Sequence, residues 1–394
     1  MCREEGSGQF LSSRVREIRP SGIRAFFDLN ETGGDTIAVG VGEPDFITPE
    51  KIREACIQAL REGHTKYTSN AGMMELREEI SGYLFSNFEL SYDPDQEIIV
   101  TMGSSEAVDL ALRAVINLDD EVLIPAPSYI AYEPITHLHG GNVVEVSTTA
   151  EEQFKLTAQA LQRSITPRSK VLMINYPCNP TGTVMTEQDW LPIVELINKH
   201  NLVVISDEVY AELTYGRKHV SIASLPGMKE RTIVISGFSK AFAMTGWRVG
   251  YACGPHELIA GMLKIHQYTA MSAPTISQIA ALESLRHGLA AKDEMMASYD
   301  ERRKLFVAGL NAIGLSCHVP EGAFYAFPSI ASTGMSSEQF SLRLLEEAKV
   351  AVVPGHVFGS SGEGFIRCSY ATSLVDLEKV LERMGRFMQM MQFA

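Results

Sequence analysis

Ser236-Gly237-Phe238-Ser239-Lys240-Ala241-Phe242-Ala243-Met244-Thr245-Gly246-Trp247-Arg248-Val249-Gly250 follows the apolar run Thr232-Ile233-Val234-Ile235. The apolar run reads as a buried strand. Small residues surround one lysine beyond its end, and Arg248 stands eight positions after that lysine. A lysine in that setting is either a solvated loop residue or an amine kept nucleophilic by partial desolvation. Arg248 could then hold a phosphate through charge-assisted hydrogen bonds.

Outward from this stretch, apolar runs alternate with helical patterns from Thr48 to about Leu282, which implies a mainly parallel sheet between helices. Leu202-Val203-Val204-Ile205-Ser206-Asp207-Glu208-Val209-Tyr210 is the most informative of these runs. Its apolar residues demand burial on both faces, yet Asp207 closes the strand. An unpaired carboxylate there would cost several kcal/mol, on the order of the usual penalty for a buried charge. It is either a cap for the next element or the partner of a cationic group.

Lys170-Val171-Leu172-Met173-Ile174-Asn175 is another buried strand, ending in the turn Tyr176-Pro177-Cys178-Asn179-Pro180-Thr181-Gly182, where a cis bond is expected before Pro180. After the strand Glu97 to Thr101, Gly103-Ser104-Ser105 opens a helix. It is an ordinary cap or, beside Lys240 and Arg248, part of a phosphate cup. Tyr129 follows the strand beginning at Glu121 and could simply be a packed aromatic. Near the N-terminus, Thr36 to Val41 reads as a strand leading into Gly42-Glu43-Pro44-Asp45-Phe46, and Arg24 to Leu29 as a short helix. Thr48-Pro49-Glu50 reads as a helix start with a threonine cap. In the last hundred residues Ser316 to Val319, Gly322 to Phe327, Val350 to Gly355 and Gly364 to Ala371 read as strands, and Arg367 lies within the last.

Composition narrows the function classes. The chain has 394 residues, 45% apolar and 21% charged, enough for more than one domain. A formal net charge of -14 disfavours nucleic acid and anionic membranes as partners. No stretch approaches the length of a membrane span and no apolar leader is seen, so a cytoplasmic location is expected. The six dispersed cysteines lack a CxxC pair and read as reduced thiols. His137 and His139 have no third ligand nearby, so no metal site is expected.

Taken together, the Ser236–Gly250 stretch, the Asp207 strand, the Asn179-Pro180 turn and the Arg367 strand resemble the class I/II aminotransferases of the fold-type I pyridoxal-phosphate enzymes. The resemblance runs from about Arg19 to about Met384 with the motifs in the family's order. It implies an α/β large domain with a mainly parallel sheet between helices, plus a smaller α+β domain. The expected division is a flexible N-terminus over 1–15, an N-terminal part of the small domain over 16–47, the large coenzyme-binding domain over 48–284 and the C-terminal small domain over 285–394. The implied cofactor is pyridoxal 5'-phosphate, joined to Lys240 as a Schiff base. Ser104, Ser105, Ser236, Ser239 and Arg248 would bind its phosphate, with Tyr67 from a neighbouring subunit. Tyr129 would stack on its ring, Asp207 would hold a proton on its ring nitrogen, and Asn179 and Tyr210 would bond its ring oxygen. Arg367 would grip the substrate α-carboxylate, with Gly42, Tyr129 and Asn179 also at the substrate, and Ile23 and its neighbours would cover the pocket.

The same resemblance implies an enzyme moving an amino group between an L-amino acid and 2-oxoglutarate by a ping-pong mechanism, with Lys240 carrying the proton at Cα and the small domain closing over substrate. A homodimer with shared active sites is expected, the Gln267 to Pro274 loop reaching the partner. Dicarboxylate-specialised relatives often place an arginine from the partner loop near where Tyr268 stands; the tyrosine weakens the case for an aspartate-only enzyme and leaves room for aromatic or apolar side chains without excluding aspartate. A carbon–sulfur β-lyase on the same fold is the alternative. A DNA-binding regulator is disfavoured, since only about fifteen to twenty residues precede the resemblance, too few for a helix-turn-helix.

Overall fold

The computed structural model describes residues 10–20, 22 and 35–392. Its strands, in chain order, are β1 (Ile37–Ala38), β2 (Ile98–Thr101), β3 (Glu121–Ala126), β4 (Asn142–Ser147), β5 (Ser169–Asn175), β6 (Val203–Asp207), β7 (Thr232–Gly237), β8 (Gly250–Cys253), β9 (Tyr325–Ala326), β10 (Val350–Ala351), β11 (Val353–Pro354) and β12 (Ile366–Ser369). Seven of them form one sheet in the order β2-β8-β7-β6-β5-β3-β4. All its neighbours are parallel except β8, which runs antiparallel to both β2 and β7.

Burial explains why these strands carry continuous apolar runs rather than alternating ones: both faces are covered by helices. Alternate residues serve opposite layers. Val171, Met173, Ile205 and Ile233 pack with helix Ser104–Val115 and helix His256–Thr269. Leu172, Ile174 and Val204 pack with Trp190, Ile193 and Ile197 of helix Glu187–His200. That helix starts on a capping box between Thr186 and Asp189.

A second core lies around helix Leu289–Ala312 and helix Leu374–Gln392, where Phe306, Leu310, Leu377, Val380 and Phe387 are fully buried. Two small sheets belong to it: β1 pairs parallel with β10, and β11-β12-β9 is antiparallel. The chain is thus α/β, with a mostly parallel central sheet and a smaller mixed region.

Some local expectations need correction. The strand expected over Thr36 to Val41 is only Ile37–Ala38, because its ladder partner β10 is equally short. Ser316 to Val319 is not a strand: Cys317 N–H donates to the Asn311 side chain at 3.0 Å instead of to a neighbouring strand. Thr48 does not cap helix Glu50–Arg61. Its hydroxyl donates to the Ala243 carbonyl at 2.6 Å and accepts from Trp247 Nε1 at 2.9 Å, tying this loop to the segment that follows Lys240. Within the stretch expected to be frayed, Ser13–Glu17 forms a short helix capped by Ser12. The helix expected over Arg24 to Leu29, and Ile23, lie outside the described residues.

Candidate active site

The C-terminal ends of β5 and β6 deliver Asn175 and Asp207 to one point, where the sheet opens into a crevice. Asn175 organises this edge. Its Nδ2 donates to the Asp207 carbonyl at 2.9 Å, and its Oδ1 accepts from the Asn179 N–H at 2.9 Å. The bond between Asn179 and Pro180 is cis, as expected. Those before Pro127 and Pro177 are also cis.

Asp207 is buried. Tyr132, itself buried, donates its hydroxyl to Oδ2 at 2.7 Å, and the Val209 N–H donates to Oδ1 at 3.2 Å. Burial nevertheless outweighs these bonds and pushes the carboxyl up to about 6, with the neighbouring Glu208 adding to the rise.

Lys240 faces the same space. Its Nζ donates to the Gly42 carbonyl at 2.6 Å. Burial lowers the amine to about 8; the Glu43 carboxylate opposes the shift, and Arg367 and Arg248 reinforce it. An amine so placed is partly neutral near neutral pH, as a nucleophile or general base must be.

At the far wall, helix Ser104–Val115 begins against Arg248. Gly103 precedes it with φ +78°, and a Cβ there would lie 2.4 Å from Arg248 Nη2. The backbone is therefore pressed against the guanidinium, and only glycine fits that turn. Free helix N–H groups, the hydroxyls of Ser104, Ser105 and Ser239, and Arg248 make an anion cup.

Arg367 closes the other end. It is 2% exposed, donates from Nη1 to Asn179 Oδ1 at 2.7 Å and from Nη2 to the Gly40 carbonyl at 2.7 Å, while its buried Nε has no partner. Its guanidinium carbon lies 4.5 Å from the Tyr325 ring centre and 4.9 Å from that of Phe358. Tyr325 and Tyr210 place their hydroxyls 2.7 Å apart.

These groups line one cavity of about 400 Å³. It brings together Gly42, Ser104, Ser105, Tyr129, Asn179, Asp207, Tyr210, Ser239, Lys240, Arg248 and Arg367 from the sequence-based set. Two of that set stand apart. Ser236 is buried within β7 with its hydroxyl 3.4 Å from the Glu208 carbonyl and does not line the cavity that Ser239 lines. Tyr67 is 81% exposed and does not line the cavity within one chain. Tyr132, Asn175 and Tyr325 line it without having been singled out. Each is an aromatic or amide beside a buried strand, a pattern that signals packing as readily as function. Among the described residues no group of three His, Cys, Asp or Glu side chains could hold a metal, and no helix is long and apolar enough to cross a membrane. His139 Nε2 instead meets Asp109 at 2.7 Å.

Residues 34–384 match the family model for aminotransferase class I and II. The chain is 56% identical over 379 residues to a Bacillus subtilis protein named "Putative aminotransferase YugH", covering 96% of this chain and 98% of that one. It is 45% identical to an aspartate aminotransferase of Pyrococcus abyssi, over 96% of this chain and 98% of the relative. The solved aromatic aminotransferase of Pyrococcus horikoshii superposes with a TM-score of 0.90 at 44% identity, covering 94% of this chain and 100% of that one.

Proposed function

Since the chain belongs to the class I and II aminotransferases, and is an amino-acid aminotransferase, we propose that it works with pyridoxal 5'-phosphate held in the cavity between Arg248 and Arg367. The observation that carries this reading is the shared cavity of a lysine whose amine burial lowers, a buried carboxyl and an anion cup. The donor set fits the coenzyme part for part. Ser104, Ser105, Ser239 and Arg248 suit its phosphate, Asp207 its ring nitrogen, Asn179 and Tyr210 its ring oxygen, and Tyr129 its ring face. Lys240 is the amine that joins its aldehyde.

Bound there, the coenzyme supplies an aldehyde that condenses with amines and a ring that draws electrons from the bonds at the substrate Cα. Asp207, paired with a cationic ring nitrogen, holds the proton at that nitrogen. Arg367 would offer its planar guanidinium to the substrate α-carboxylate. Lys240 Nζ, when free, would take the proton from the substrate Cα as general base. Tyr132 and the Val209 N–H keep the Asp207 carboxylate oriented meanwhile.

The relatives include proteins named for aspartate and for aromatic amino acids. We infer a broad amino-donor range with 2-oxoglutarate as acceptor, the two half-reactions alternating. A homodimer is part of the proposal. Tyr67, Tyr268 and Ile47 are 81%, 87% and 76% exposed in the single chain, and a groove lined by Ile47, Met102 and Trp247 continues outward from Arg248. The division of the chain at 47/48 and 284/285 and a cytoplasmic location belong to the same reading. Borohydride reduction of the loaded protein followed by peptide mapping should place the label on Lys240, and Lys240→Ala should abolish transamination. A label elsewhere, or an active Lys240→Ala, would overturn the assignment; an active dilute monomer would overturn the shared site. Release of thiol rather than oxo acid from a sulfur amino acid would favour the β-lyase chemistry instead.

A further inference from the structure

We propose that Tyr325 is a positioning residue that links the two ends of the cavity: its ring carries the Arg367 guanidinium, and its hydroxyl backs the hydroxyl of Tyr210. The proposal rests on the coenzyme reading above, in which Tyr210 serves the ring oxygen and Arg367 the substrate carboxylate.

The placement follows from register. Strand β9 consists of Tyr325 and Ala326, paired antiparallel with β12 so that Ser369 faces Tyr325 and Cys368 faces Ala326. Arg367 is the next residue along β12, and its guanidinium carbon sits 4.5 Å from the Tyr325 ring centre. A guanidinium over an aromatic face is attracted by the ring quadrupole, most strongly when both are dry. Tyr325 is 1% exposed and Arg367 2%. The arginine needs this support, because only two of its three nitrogens have hydrogen-bond partners in the chain.

The hydroxyl is equally constrained. It lies 2.7 Å from the Tyr210 hydroxyl, and a Cβ on Gly42 would stand 2.6 Å from it. The Gly42 backbone thus closes one side of the phenol and leaves Tyr210 as its partner. Two hydroxyls at that distance share one hydrogen. When Tyr210 donates to an acceptor in the cavity, Tyr325 becomes the donor to Tyr210. A hydroxyl that accepts one hydrogen bond donates a stronger one. Tyr325 therefore strengthens the bond Tyr210 makes to a negatively charged ring oxygen, while its ring holds the group that grips the substrate.

The two roles separate by substitution. In Tyr325→Phe the ring remains and the hydroxyl goes. The pH at which the visible band of the pyridoxal-phosphate-loaded protein changes should rise by about half a unit to one unit, since the form with the more negative ring oxygen loses support. Binding of succinate, an unreactive carboxylate probe, should stay within about twofold. In Tyr325→Leu the band should shift alike and succinate should bind about three- to thirtyfold more weakly. An unmoved band in Tyr325→Phe would overturn the hydroxyl link. Equal loss of succinate binding in both variants would overturn the separate role of the ring. If Tyr325→Leu does not fold, Tyr325→Met supplies the same comparison, and the near-isosteric Tyr325→Phe decides the hydroxyl link alone. Wild-type protein that takes up no coenzyme and shows no band would instead defeat the underlying reading, which these outcomes leave distinguishable.

Discussion

Replacing Tyr132 by phenylalanine removes one oxygen atom, and that oxygen is 2.7 Å from Asp207 Oδ2 in a site closed to water. A hydrogen bond to an ionised group contributes about 1.5–3 kcal/mol. Its loss disfavours the carboxylate, so the Asp207 carboxyl should climb by about one to two pH units from its already raised value of about 6. On the function proposed above, coenzyme binding needs Asp207 ionised opposite a cationic ring nitrogen. Affinity for pyridoxal 5'-phosphate in Tyr132→Phe should therefore fall by about five- to fiftyfold at pH 6 and about two- to tenfold at pH 7, and match wild type at pH 9. Lys240 titrates over part of this range in both proteins and cancels in the ratio. Titrating coenzyme-free protein by absorbance or tryptophan fluorescence at the three pH values gives the dissociation constants. A loss of the same size at every pH would show that the hydroxyl matters only for packing, and no loss at pH 6 would refute the role given to Asp207.

Without coenzyme, Asp207 should weaken the fold. Its carboxyl is raised in the folded chain, so the stability linked to it is present below about pH 4 and is lost as pH rises through about 6; Asp207→Asn should gain up to about 3 kcal/mol at pH 7 and little at pH 4, read from urea midpoints. Lys240, lowered to about 8, should be about one-quarter neutral at pH 7.5 rather than about one part in a thousand, so aldehyde labelling of the coenzyme-free chain should have a midpoint near 8, and a midpoint near 10 would refute its desolvation. Gly103→Ala puts a methyl into Arg248 at a positive-φ, extended backbone position (φ 78°, ψ 166°) that is almost confined to glycine, with a cost of about 1–3 kcal/mol from backbone strain alone; pyridoxal 5'-phosphate should bind at least about tenfold more weakly, with dephosphorylated pyridoxal much less affected.

Much of this site could be read from the chain because its signals contradict their surroundings. Asp207 ends a run that otherwise belongs in a dry sheet, and Lys240 lies among residues too small to be an ordinary surface. Arg367 interrupts an apolar strand. Tyr132 and Tyr325 contradict nothing: a tyrosine among apolar residues satisfies the same pattern whether its hydroxyl meets a carboxylate, another phenol or a backbone carbonyl. Only the pairing of β9 with β12 brings Tyr325 beneath the guanidinium. Ser236 lies near Lys240 in the chain, but within one chain it does not line the cavity and its hydroxyl meets the Glu208 carbonyl. Sheet order was also hidden, since nothing local announces that β8 inserts antiparallel between β2 and β7. Thr48 had the composition of a helix cap, and a distant tryptophan took its hydroxyl.

Arg367 donates to the Gly40 carbonyl across 327 positions of chain, and β1 finds its partner in β10, 313 positions away by the Ile37↔Val350 register (350 − 37). During synthesis on the ribosome, β8, the last strand of the seven-stranded sheet in chain order, is complete at Cys253. On the proposed reading, the grip of Arg367 on the substrate carboxylate cannot form until almost the whole polypeptide has emerged. A nascent chain would then acquire Lys240, Asp207 and the Arg248 cup while still unable to hold an amino acid in register.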